Sequence, residues 1–141
     1  MKYVLDSSVA LKWVLPELDS AKALQLRTDF LTGTHELVAP DIFSVEVAHA
    51  LTRAERRGII AVGDADIHLL NILSTSPLLF AYQPLLRRAV AISSTEHIGV
   101  YDCLYVSLAE REGCEMVTAD DRLVKNLQKS FSFITALAAI P

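Results

Sequence analysis

Residues 114–123 read Cys114-Glu115-Met116-Val117-Thr118-Ala119-Asp120-Asp121-Arg122-Leu123, CEMVTADDRL. A short apolar run of strand length passes directly into two adjacent carboxylates, which open a helical segment expected over Asp121–Lys129. A strand that hands over to a helix without a linker is half of a βαβ unit. Adjacent acids repel each other, so their place at this junction needs a reason. Thr118 and Asp121 stand at capping-box spacing, which accounts for Asp121 as a cap and leaves Asp120 without a task.

The same alternation recurs along the chain. KYVLD (2–6) is an apolar strand ending on Asp6, and SSVALKWVL (7–15) follows with helical character until Pro16. A second helix is expected over Asp19–Leu31, capped by Asp19 or Ser20, with Gly33 just past its end. ELVAP (36–40) is a second strand, and Asp41 is placed to cap a long helix over Ile42–Arg57, stopped by Gly58. Further helices are expected from about Gly63 to Ser74, over Leu85–His97 and over Tyr101–Glu112, the last ended by Gly113. LLFAY (78–82) gives a third strand, CEMVTA (114–119) a fourth and FSFIT (131–135) a fifth. Short apolar strands alternating with helices indicate an α/β fold with a mostly parallel sheet covered on both faces and joined by right-handed crossovers. No linker, repeat or low-complexity tract interrupts the 141 residues, which are expected to form a single domain, 1–141.

Composition narrows the function classes. The chain is 52% hydrophobic and 21% charged with a net charge of -4, which excludes a disordered chain and a whole-molecule field attractive to nucleic acid. An anionic ligand would need a local basic patch or metal ions. Asp6 interrupts the only apolar stretch near the N-terminus, so no secretory signal is read and the expected address is the cytoplasm, with no membrane partner. Cys103 and Cys114 form no CxxC and are expected to be reduced and structural.

Ligands of parallel sheets bind at the carboxyl ends of the strands. Asp6 and Asp120 fall there. Glu46 borders the apolar face formed by Phe43, Val47, Ala50, Leu51 and Ala54, and Asp102 begins an inward stripe with Tyr105, Val106 and Ala109. Each acid alone has a plain alternative: a helix cap for Asp6 and Asp102, a solvated side chain for Glu46. Together they suggest a gathered cluster, which would be self-repelling unless a cation neutralises it. Hard oxygen donors without a His or Cys cluster suit Mg2+ or Mn2+, and such ions act on phosphates.

At these residues the sequence resembles the PIN-domain family, specifically its VapC-type toxin ribonucleases. The matching pieces are YVLDSSVALKW, SVEVAHAL, VYDCLYVSLAE and MVTADDRL, in order and across essentially the whole chain. The resemblance implies a PIN-like three-layer fold with a five-stranded parallel sheet in the order 3-2-1-4-5. It implies a metal-dependent endoribonuclease whose catalytic and metal-binding acids are Asp6, Glu46, Asp102 and Asp120. Ser8 would support a carboxylate or a metal-bound water, and Asp121 would serve as a cap or supporting group. An RNA substrate, a cognate antitoxin covering the acidic groove, and a homodimer are also implied.

The best candidate RNA contacts are Arg53, Arg56 and Arg57, since Arg53 shares the Glu46 side of its helix and Arg grips phosphate bidentately. Lys12, Arg87, Arg88, Arg122 and Lys125 are weaker candidates. His35, His49, His68 and His97 show no ligand spacing, and Trp13 sits in an apolar helix suited to the core. A nucleotide-binding domain is excluded by the lack of G-x-G-x-x-G and G-K-[ST] loops. A phosphoaspartyl phosphatase would need an aspartate where Ser8 stands. A catalytically inactive binding module of the same fold, an RNA-processing enzyme and a DNA nuclease remain as alternatives.

Overall fold

Five strands, β1 (Lys2–Leu5), β2 (Glu36–Pro40), β3 (Leu78–Phe80), β4 (Glu115–Thr118) and β5 (Ile134–Ala136), build one sheet in a computed structural model that describes residues 1–141. Their order is β3-β2-β1-β4-β5, and every pairing is parallel. The expected order 3-2-1-4-5 is therefore found. Seven α-helices connect and cover the strands: α1 (Ser7–Leu11), α2 (Ser20–Leu31), α3 (Phe43–Arg56), α4 (Asp64–Leu73), α5 (Leu86–Glu96), α6 (Val100–Glu112) and α7 (Asp121–Leu127).

The central strand explains the architecture. Successive side chains of a strand point to opposite faces, and Tyr3, Val4 and Leu5 are all buried, so both faces of β1 are covered. Helix α6 lies against β1, β2 and β4 and is buried along Cys103–Ala109, apolar nearly all round as a core helix must be. Tyr3, Leu37, Phe43, Leu51, Tyr105, Met116 and Ile134 belong to one core cluster of 32 buried residues. At about 25 cal/mol per Å² of apolar surface, burying one such side chain contributes roughly 2 kcal/mol.

Several local expectations differ from the structure. Helix α1 ends at Leu11 instead of running to Pro16. The amides of Lys12 and Trp13 bond three residues back, to Val9 and Ala10, which tightens the chain into a turn. That turn sends Trp13 beneath α2, where its Nε1 donates to the Ala23 carbonyl at 2.9 Å and the Arg27 guanidinium stacks 4.7 Å from the ring centroid. Trp13 is core, as its helix suggested. Asp41 does not cap α3. Its Oδ1 accepts from the Tyr82 amide at 3.1 Å, tying the end of β2 to the end of β3, and Ile42 takes the cap position. Strand β3 stops at Phe80, β5 starts three residues later and ends one later than expected, and α7 ends at Leu127. Both cysteines are free, and no helix is long and apolar enough to cross a membrane.

Candidate active site

Asp6 follows β1 directly, so the strand delivers its side chain to the carboxyl edge of the sheet. It is 4% exposed and makes no side-chain cap to α1, which removes the plain reading. Two hydroxyls hold it instead. Ser8 Oγ donates to Asp6 Oδ2, and Thr118 Oγ1 donates to the same oxygen at 2.8 Å. Both hydroxyls are themselves oriented, because the Ala119 amide donates to Ser8 Oγ at 3.0 Å and the Asp120 amide to Thr118 Oγ1 at 3.1 Å. The ends of β1 and β4 are thus laced together. Burial pushes the Asp6 carboxyl up; the Ser8, Thr118 and Ser7 hydrogen bonds pull it back, and the charge of Asp120 adds to the rise.

Asp120 caps α7 itself. Its Oδ1 accepts from the amides of Arg122 and Leu123 at 3.0 and 3.2 Å. The expected assignment of the cap to Asp121 is therefore corrected: Asp121 is the first helical residue and is exposed, and the first amides of α7 bond to Asp120 instead. The capping box does not form, because Thr118 faces Asp6. Capping engages only one oxygen of Asp120.

Glu46 lies in the first turn of α3, half-buried. Its Oε1 accepts from Tyr105 Oη at 2.6 Å and, more weakly, from Ser7 Oγ at 3.5 Å. Burial raises its affinity for a proton, the Tyr105 hydrogen bond opposes this, and the charge of Asp6 raises it further. The Tyr105 hydroxyl is pushed up as well, by burial first and then by the charges of Asp6 and Glu46.

Asp102 stands in the first turn of α6, pointing inward as expected. No hydrogen bond lowers its carboxyl, which is pushed up to about 7 by burial and then by the charges of Asp6, Glu46 and Asp120. A helix N-terminus should favour its anion; burial and three neighbouring carboxylates override that. The four acids named from the sequence thus share one electrostatic site, and no lysine, arginine or histidine offsets the shifts in Asp6, Glu46 and Asp102. They do not close into a preformed coordination shell, since no three acidic, histidine or cysteine side chains stand at metal-binding spacing. Hydroxyls hold Asp6 and Glu46 one by one: Ser8 and Thr118 at Asp6, Tyr105 and Ser7 at Glu46.

Sequence reasoning took Thr118 only for half of a capping box and passed over the hydroxyls of Ser7 and Tyr105. Tyr105 was visible on the Asp102 stripe, but only as core. Arg53, Arg56 and Arg57 are exposed at the far end of α3, none in an ion pair, so the structure does not bring them to the acids. His49 is exposed on the wall of an apolar cleft of ≈ 860 Å³. Ser7 and Glu46 reach into this cleft, and Val45, Tyr82, Leu86 and Tyr101 also line it.

The PIN domain family matches residues 3–127, and the chain belongs to that family. It is similar to ribonuclease VapC3 of Pyrobaculum aerophilum, 30% identical over 127 residues, covering 89% of this chain and 94% of the relative. Ribonuclease VapC12 of Mycobacterium tuberculosis is 32% identical over 124 residues, covering 87% and 90%. Among solved structures, a protein from Pyrobaculum aerophilum superposes with a TM-score of 0.71 at 20% identity, covering 98% of this chain and 93% of the other. A toxin–antitoxin complex from Klebsiella pneumoniae superposes with a TM-score of 0.64 at 13% identity, covering 98% and 99%. The resemblance to VapC-type PIN proteins carried by the four motifs is borne out.

Proposed function

We propose that residues 1–141 form a single nuclease domain that acts as a divalent-metal-dependent endoribonuclease, the toxin of a VapC-type toxin–antitoxin pair in the cytoplasm. The observation that carries this reading is the gathering of four carboxylates at the carboxyl edge of the sheet, where Asp6, Glu46 and Asp120 all act on Asp102 and no cation offsets them. Similarity to proteins named ribonuclease VapC supports the same reaction class.

The donor set fits Mg2+ or Mn2+, being hard carboxylate oxygens without thiol or imidazole, and Asp6, Glu46, Asp102 and Asp120 would hold the ion. When bound, such an ion supplies an activated water and offsets charge on the phosphodiester. The chain's own residues set the stage. Ser8 and Thr118 fix the orientation of Asp6 through Oδ2. The α7 amides occupy Oδ1 of Asp120 and leave Oδ2 without a donor. Asp102, held by no donor, is the carboxylate free to turn toward substrate or ion. Arg53, Arg56 and Arg57, exposed along the helix that carries Glu46, would grip RNA phosphates beyond the reacting one. The apolar cleft that opens on Glu46 supports docking of an antitoxin segment over the acids, and a second copy of the chain is the other expected partner.

The test is incubation of the purified chain with a structured RNA pool and Mn2+ or Mg2+. Discrete fragments that vanish with EDTA are expected. Cleavage that survives EDTA would sink the metal requirement, and no cleavage with either ion would sink the catalytic reading. Expression in bacteria should arrest growth; harmless expression removes the toxin role alone.

A further inference from the structure

Tyr105 follows Asp102 by one turn of α6, and its side chain is fully buried in the core. Its hydroxyl nevertheless reaches the acidic site and donates to Glu46 Oε1 at 2.6 Å, joining residues 59 positions apart. A core position of this size would accept phenylalanine without the desolvation cost of a hydroxyl. The hydroxyl is therefore explained by its partner, not by packing.

Glu46 also depends on it more than the other held acids depend on any one donor. Asp6 has two hydroxyls, and Asp120 has two amides of its own helix. The other donor to Glu46, Ser7 Oγ, stands at 3.5 Å, the outer limit of hydrogen bonding. A half-buried glutamate beside an open cleft otherwise keeps much of its rotamer freedom. The Tyr105 bond removes that freedom and commits Oε1, which leaves Oε2 as the unoccupied oxygen. Because residues three apart share a helix face, the bond also ties Glu46 to the face of α6 that carries Asp102.

We infer that Tyr105 is a positioning residue whose hydroxyl sets the Glu46 carboxylate, and its spacing from Asp102, for capture of a divalent cation. The inference rests on the metal-dependent reading proposed above. Tyr105 touches neither ion nor RNA; it acts through Glu46.

The experiment titrates Mn2+ into the EDTA-stripped full chain by calorimetry, for wild type, Tyr105→Phe, Glu46→Gln and the double variant. Outer partners of metal ligands commonly change affinity 10–100-fold, so Tyr105→Phe should weaken Mn2+ binding by about 10-fold. In the Glu46→Gln background the same substitution should change nothing, and RNA cleavage by Tyr105→Phe should recover at saturating Mn2+. Equal affinity in wild type and Tyr105→Phe overturns the inference and leaves metal dependence standing, as does an equal loss in both backgrounds. A wild type that takes up no Mn2+ overturns both. If Tyr105→Phe does not fold, wild type labelled with 3-fluorotyrosine answers the same question, since the chain has only 4 tyrosines to assign. The Tyr105 fluorine resonance should shift on saturation with Mg2+, and a resonance that stays in place overturns the inference.

Discussion

Helix α6 carries a carboxylate at each end, and the two ends treat it in opposite ways. At its C-terminal end, beside the starts of β1 and β4, Glu112 is met by Lys2 Nζ at 2.8 Å and Arg111 Nε at 3.4 Å. The Lys2 hydrogen bond holds the Glu112 carboxyl below its ordinary range. At the N-terminal end, beside the ends of the same strands, Asp102 is half-buried with no cation and three acidic neighbours, and burial first and then those charges raise its carboxyl to about 7. The helix dipole alone would give the reverse ordering, favouring the anion at Asp102 and opposing it at Glu112. Local surroundings therefore decide both ends: burial and then like charge at Asp102, the Lys2 hydrogen bond at Glu112. The chain has the means to pair a carboxylate where pairing serves the fold, and at the acidic edge it does not use them. Such unrelieved repulsion marks the edge that handles a ligand.

The largest expected effect breaks the contrast at its unpaired end. Asp102→Asn removes a charge and keeps the shape, so RNA cleavage should fall by about 100-fold or more while melting in EDTA stays the same or rises. A variant of full activity would remove Asp102 from the site. A cation should relieve the same repulsion that Asp102→Asn relieves, and stabilise the fold further by binding to it. Mn2+ at about 100 times its dissociation constant stabilises the native chain by roughly 2.7 kcal/mol, a melting shift of several degrees that Asp102→Asn should lose. An unshifted wild type in millimolar Mn2+ or Mg2+ would deny the cluster its ion.

Titration gives a smaller, graded version of the same comparison. Folded Asp102 keeps its proton to about pH 7, whereas an ordinary aspartate releases it near 3.8. The folded state thus binds more protons between those values, and the stability of the metal-free chain should fall as pH rises from about 4 through 7, then level. Asp6 and Glu46 shift in the same direction and reinforce the slope. Chemical denaturation in EDTA should show this trend, flattened in Asp102→Asn; a rising curve would contradict it. The smallest effect belongs to the paired end. Lys2→Met should destabilise slightly, less in high salt, and leave Mn2+ affinity unchanged.

The alternation of strands and helices and the gathering of the four acids were legible because they rest on repeated local signals; the sheet order came only from the resemblance to the PIN-domain family. Apolar runs of strand length end on Asp6 and Asp120, and Asp102 begins an inward helical stripe. What escaped was set by distant contacts. Thr118 looked like half of a capping box because the strand that redirects its hydroxyl lies 112 residues away at Asp6. Asp41 has the composition of a cap, and only the return of the chain at Tyr82 diverts it. The early end of α1 follows from the site Trp13 finds beneath α2, which no periodicity within residues 7–15 encodes. The choice of Asp120 over Asp121 as cap is a matter of one residue of backbone geometry, below what spacing resolves.

Trp13 also gives the molecule an optical reporter. It is the chain's 1 tryptophan, buried and bonded through its indole N–H, so the whole indole emission comes from one apolar environment. The five-residue helix α1 links it to the residue after β1, which is Asp6. Loosening at that end of the sheet would release the indole toward water and move its emission to the red. Fluorescence of the unlabelled protein can thus follow the segment that carries Asp6, in real time and without a substrate.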